Sequence, residues 1–280
     1  MKLEYINARG DILNLTGNSR FKLTRADGIA DGSTEIYTTT NPTIDGDIPN
    51  AVRVIPRDIT LDIVIENDVE SVKDYIRKFV KLGQTATLRK TQNERTLQIS
   101  GIVSDMIMPR NTNPVTMQLG LHCSQPFWED TENSTTEIAE VIPLFYFTED
   151  EDLRFEEPEQ AFGEIDTNRT QVIINEGDTE IGLEIRITAL GTVKNPIIYN
   201  AAGEYLGVDT TLEGGDEVVI TTGKGNKKIL KNNENITSTF KEGSKWLQLE
   251  TGENEFTIDS EDGTEGDMYF SIIYRSRYWA

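Results

Sequence analysis

Cysteine and histidine are almost missing: among 280 residues there is one of each, Cys123 and His122. A single cysteine excludes an intrachain disulfide framework and a cysteine-rich zinc site. A single histidine excludes a paired-histidine metal centre and an active site built on two imidazoles. No apolar run approaches the ~20 residues needed to cross a bilayer. Met1 to Gly10 alternates charged and apolar groups and lacks the apolar middle of a secretory signal. These absences predict a soluble protein without membrane insertion, made in a reducing cytosol. With 36% hydrophobic and 8% aromatic residues there is material for folded cores. At roughly 100–200 residues per domain, the length points to two domains.

Basic charge is scarce in one part only. Positions 1–128 hold 15 basic and 15 acidic residues, and positions 129–280 hold 12 against 33, so the whole net charge of −21 belongs to the second part. Glu129 to Asp166 alone carries 14 acids and one base, Arg154, and includes the run Glu149 to Asp152. This composition break marks a boundary. An acidic surface repels phosphate, so stable nucleic-acid binding by counterion release is not expected. The acids either keep an assembly soluble or line a passage along which another polyanion slides.

What is present is mostly a period of two. Ile59, Leu61, Ile63 and Ile65 alternate with Thr60, Asp62, Val64 and Glu66, the pattern of a half-buried strand. Thr85 to Lys90 and Arg95 to Val103, joined by Thr91 to Glu94, predict a β-hairpin with Leu97, Ile99 and Val103 on one face. A further strand is expected over Thr116 to Ser124. One segment differs: Val69, Val72, Ile76, Phe79 and Val80 recur at helical spacing, with Asn67 and Glu70 as a capping box and Gly83 as a stop, so the spacing predicts one helix of about four turns. Beyond Asp166, Ile181, Leu183, Ile185 and Ile187 alternate again. Short strands separated by turns such as Ala202-Gly203, Gly214-Gly215 and Asp262-Gly263 predict an antiparallel sandwich.

Catalytic patterns do not emerge. With 48 acids, any two could be paired as a glycosidase dyad, and abundance removes the meaning of such a pair. His122 directly precedes Cys123, and neighbours on a strand point to opposite faces, so the two cannot form a nucleophile–base pair. Gly223-Lys224-Gly225 lies between strand-like segments, where no helix offers its N-terminus to phosphate, and reads as a hairpin turn. Asp45 to Asp47 and Asp259 to Gly263 lack the acid spacing of a calcium loop and read as turns. Acceptor tripeptides for glycosylation at Asn14, Asn133, Asn168 and Asn235 have no meaning without a secretory route. No cofactor or metal is expected. If Lys245 to Glu250 is a strand, Trp246 shares a partly polar face with Gln248 and Glu250, where it either stacks on a sugar ring or covers a sheet edge.

The order of several segments resembles a known family. Asn7 to Asn14, Ile55 to Ile63, the helix ending in Lys81-Leu82-Gly83, the strand Arg95 to Val103 and the exit Cys123 to Trp128 resemble the N-terminal part of the distal tail proteins of long-tailed phages. Val172 to Gly177, Gly191 to Pro196 and Trp246 to Phe256 are similar to that family's C-terminal sandwich. The acidic stretch 129–166 is the least matched. The resemblance implies a mainly β protein: an N-terminal β-sandwich with one α-helix and a long β-hairpin, and a C-terminal galectin-like or carbohydrate-binding-module-like β-sandwich. It implies a ring-forming tail-hub domain over 1–128, an acidic connecting segment over 129–166 and the second sandwich over 167–280.

For function, the resemblance implies a structural baseplate hub at the virion tail tip, assembled in the cytoplasm of the bacterial host. Such a protein forms a ring, commonly a hexamer, and its partners are the tail tube protein, a tail-associated lysin or tip protein, and a receptor-binding protein. No catalytic residue is carried over. The neutral first part is the better candidate for the packed ring. The competing readings are an adhesin module that recognises a host cell-wall glycan through Trp246, and a glycosidase.

Overall fold

The computed structural model describes residues 1–41, 43, 45–108, 114–138, 141–143, 163–165 and 169–279. Most of the acidic stretch, including the run from Glu149 to Asp152, lies outside the described residues. The chain forms two compact units, one of Met1–Thr131 with Arg277–Ala280 and one of Glu132–Ser276.

The first unit contains β1 (Lys2–Asn7), β2 (Ile12–Asn14), β3 (Lys22–Asp27), β4 (Thr34–Thr40), β5 (Asp47–Val54), β6 (Arg57–Ile65), α1 (Val69–Phe79), β7 (Thr85–Gln92), β8 (Arg95–Ile107), β9 (Val115–Cys123) and β10 (Trp128–Asp130). One antiparallel sheet runs in the order β2-β1-β7-β8-β9-β6-β3, and β10 pairs with both β8 and the chain's last strand, Arg277–Tyr278. The alternation on β6 is realised: Ile59, Leu61, Ile63 and Ile65 are buried, opposite Leu121, Leu119, Met117 and Val115 of β9. Leu97, Ile99 and Val103 bring β8 into the same core, and α1 adds Val72 and Ile76.

Two local readings need correction. The β7–β8 hairpin closes on two residues, Asn93 and Glu94, both with positive φ (50° and 66°), because the strands run on through Gln92 and Arg95. That twist matches the flanking strands. The helix has 11 residues, about three turns rather than four. It starts one residue later than the capping box requires: Asp68, in a left-handed conformation, is the N-cap and makes no side-chain cap bond, while Glu70 pairs with Lys73 at 3.0 Å. It stops early because Val80 turns extended and is itself buried.

The second unit contains β11 (Ser134–Ile138), β12 (Val141–Pro143), β13 (Gly163–Ile165), β14 (Thr170–Asn175), β15 (Ile181–Gly182), β16 (Glu184–Ala189), β17 (Val193–Lys194), β18 (Pro196–Asn200), β19 (Tyr205–Gly207), β20 (Thr211–Leu212), β21 (Glu217–Gly223), β22 (Asn226–Lys231), β23 (Glu234–Asn235), β24 (Gln248–Leu249), β25 (Gly252–Ser260) and β26 (Met268–Tyr274). Arg277–Tyr278 is then β27. One sheet runs β11-β26-β16-β21-β22-β23 and the other β14-β25-β18-β19. Ile185, Ile187, Ile220 and Phe270 from the first meet Ile173, Ile198, Phe256 and Ile258 from the second in one core, which makes the unit a sandwich.

The alternating run from Ile181 to Ile187 is two strands, not one. Leu183 leaves the ladder, its N–H donating to the Thr222 hydroxyl at 2.8 Å. At that crossing a Cβ on Gly182 would stand 2.3 Å from the Gly223 Cα. Only glycine admits so close an approach of two backbones.

Candidate functional site

β4 and β5 form a two-stranded arm that joins neither large sheet. Every residue of both strands is exposed except Val54, which is half-buried. The register sets Ile36 opposite Val52, and these side chains are 59% and 64% exposed. The arm is braced by short-range polar bonds: the hydroxyls of Thr38 and Thr40 donate to the Asp47 carboxylate at 3.3 and 3.2 Å, and that of Tyr37 donates to Glu35 at 2.7 Å. Asp47, read from sequence as part of a turn, thus opens a strand. A lone two-stranded hairpin is marginal in water, and an exposed cross-strand pair of aliphatics adds a surface that burial would stabilise. The arm has the character of an element completed by a neighbour.

The sole histidine and cysteine are adjacent on β9 and diverge. His122 Nδ1 lies 2.7 Å from the Asp58 carboxylate, its cross-strand partner on β6, on the solvent side. Cys123 is fully buried, and burial pushes its thiol up to about 11. A protonated thiol inside a core is no nucleophile. Among the described residues no cluster of three or more His, Cys, Asp or Glu is placed to hold a metal.

Trp246 does not stand on a strand, since only Gln248 and Leu249 of the expected segment pair. Its ring lies parallel to Phe240, with centroids 4.5 Å apart and planes at 8°, and the Lys227 ammonium lies 5.8 Å from its centroid. One face of the indole is therefore occupied from within the protein. Trp246 also borders a cavity of about 290 Å³ with Glu204, Lys245, Gln248, Glu250 and Phe256. There Lys245 Nζ meets Glu204 at 2.5 Å, and Asn200 donates to the same carboxylate.

Residues 176–278 match the family model described as the siphovirus-type tail component, C-terminal domain. Among solved structures, the whole fold is similar to that of SPP1 Dit (gp 19.1), with a TM-score of 0.70 at 12% identity over 98% of both chains. Residues 176–278 thus carry the C-terminal domain of a siphovirus-type tail component. Phage p2 baseplate structures in the activated conformation are also similar, at 10% identity: with strontium the TM-score is 0.49 over 98% of this chain and 97% of that one, and with calcium 0.47 over 97% of both. No curated protein matches in sequence.

In a structural tail component the functional residues are those that touch neighbours. Pattern reading does not find the arm. Neither face of β4 or β5 meets a core, so the apolar–polar alternation that marks a half-buried strand is absent. Its one signal is the run Thr34 to Thr40, rich in β-branched and aromatic residues without an apolar face.

Proposed function

We propose that this chain is a phage distal tail protein that assembles into a ring, as a hexamer, through contacts made by its first unit. In this reading the ring joins the tail tube protein to a tail-associated lysin or tip protein and to the receptor-binding protein, and it forms in the host cytoplasm. The observation that carries it is the arm, with Ile36 and Val52 paired across two strands and more than half exposed. Support comes also from the neutral charge balance of positions 1–128 against the surplus of acids beyond them, since like-charged surfaces pack poorly. SPP1 Dit, described as a paradigm of hub adsorption apparatus in phages infecting Gram-positive bacteria, shares the fold.

Negative-stain microscopy and sedimentation of the full chain test the reading. Ile36→Glu combined with Val52→Glu should convert rings to single subunits, with melting of both units unchanged. Each lost aliphatic contact removes roughly 1 kcal/mol per interface and the new charge adds a desolvation cost. Rings undiminished in the double variant would remove the arm from the interface. A wild-type chain that stays monomeric at high concentration would end the ring itself.

A further inference from the structure

The outer face of the smaller sheet in the second unit carries a block of four side chains that its core does not use. Among the described residues β14 is an edge strand, paired with β25 alone. The register sets Val172 opposite Glu255 and Ile174 opposite Glu253. Directly opposed residues of antiparallel strands share a face, so these four lie together, while Ile173, Phe256 and Ile258 point into the core. Val172 and Ile174 are 50% and 52% exposed. Glu253 and Glu255 are exposed too, and neither makes an ion pair among the described residues. Four lysines of this unit are committed elsewhere: Lys224 to Glu180, Lys231 to Asp216, Lys241 to Glu261 and Lys245 to Glu204. One row along the sheet, Tyr199 stands opposite both Thr257 and Tyr205, with the two tyrosine rings 5.8 Å apart.

This combination selects a partner. A wholly apolar surface laid on Val172 and Ile174 would strip water from two carboxylates and leave them unpaired, at a cost that exceeds the apolar gain. An acidic surface is repelled. A lysine or arginine, however, covers an aliphatic neighbour with its stem and brings its charged head to the carboxylate. The two apolar–acid rows are two residues apart along the strand, roughly 7 Å, which is the repeat of an extended segment with basic residues at alternate positions. We propose that this face of the second unit is a docking surface for a basic, aliphatic polypeptide segment of a neighbouring tail component. The surface is separate from the arm, and neither depends on the other.

Calorimetric titration of the full chain tests it with two synthetic probes, acetyl-Lys-Val-Lys-Ile-Lys-Val-amide and the counterpart with Glu at each Lys, and with cello-, malto- and chitohexaose for the competing ligand class. The Lys peptide should bind wild type and the Glu peptide should not. Binding should weaken at least about tenfold in Glu253→Lys/Glu255→Lys, and comparably in Val172→Ser/Ile174→Ser. Glu66→Lys/Glu234→Lys, which changes net charge equally at exposed glutamates elsewhere in the chain, should bind like wild type. The proposal is overturned if the Lys peptide fails to bind wild type, or if both charge variants lose binding equally, which would mark an effect of bulk charge. It is overturned as well if a hexaose binds and is displaced by the Glu253 and Glu255 changes while the peptide is not. Melting curves of each variant establish that the fold is retained.

Discussion

The Arg57 guanidinium holds the carbonyl of Trp279: Nη2 donates to it at 2.5 Å across 222 residues of sequence. Nη1 donates to the carbonyls of Gly28 at 3.2 Å and Ile29 at 2.8 Å, and the Trp128 indole N–H donates to the same Ile29 carbonyl at 2.9 Å. The Trp279 ring meets Phe127 edge-on at 4.8 Å and lies so close to Gly32 that a Cβ there would stand 2.7 Å from it. One buried cation therefore gathers the loop after β3 and the chain's last residues onto the first unit, and desolvation lowers its pKa.

Removing that fork should loosen the first unit selectively. Arg57→Ala leaves the carbonyls it serves without their donor and is expected to cost about 2–4 kcal/mol. Arg57→Lys should not restore the loss, because an ammonium cannot reproduce the planar fork. Differential scanning calorimetry with hydrogen exchange at Arg277 and Tyr278 reads both effects. A loss confined to the second unit's transition would refute the account.

Cys123 should resist alkylation in the native state. Its thiol is buried and pushed up to about 11, so at pH 8 almost none is thiolate. Iodoacetamide followed by mass spectrometry should show negligible labelling until denaturant opens the core. Rapid labelling of folded protein would contradict the placement of this residue.

Much of the first unit was legible because its strands bury one face each. Ile59 to Ile65 and Leu97 to Val103 carry that record in their alternation, and the period of α1 showed through its buried Val72 and Ile76. What was hidden depends on distant partners. Arg277 and Tyr278 pair with Glu129 and Trp128, on the far side of the second unit in sequence, and no local pattern encodes that return. Leu183 leaves its ladder because Thr222 offers it a hydroxyl. Trp246 takes its position from Phe240, which lies outside any strand. The arm was silent because nothing among the described residues covers it.

Acid should weaken the second unit through Asp216. Its carboxylate accepts the Glu213 N–H at 2.9 Å, the Asn232 amide at 2.7 Å and the Lys231 ammonium at 2.8 Å. These bonds, led by that backbone N–H, hold its pKa well below the ordinary carboxylate range. A group depressed on folding contributes stability above its unfolded pKa, about 3.9, and that contribution is lost as pH falls toward the folded value. Asp216→Asn should therefore be less stable than wild type at pH 7, with the gap narrowing below about pH 4. Urea melts of the second unit at a series of pH values check this, and a gap that widens in acid would reverse the sign.

The Phe240–Trp246 stack should behave as an internal structural pair. With centroids at 4.5 Å and near-parallel planes, the two rings cover each other beside Leu247 and Leu249, both buried. Trp246→Ala removes a partly buried indole and is expected to destabilise the second unit by about 1–3 kcal/mol. Phe240→Ala should cost a similar amount, and the double variant should cost less than the two together by about 0.5–1.5 kcal/mol, the coupling of an aromatic pair. A platform kept for an external sugar would give the opposite result: Trp246→Ala would leave stability nearly unchanged and abolish glycan binding. The double-mutant cycle therefore separates a ring that holds the sandwich together from one reserved for a ligand, and the stacking geometry favours a measurable coupling.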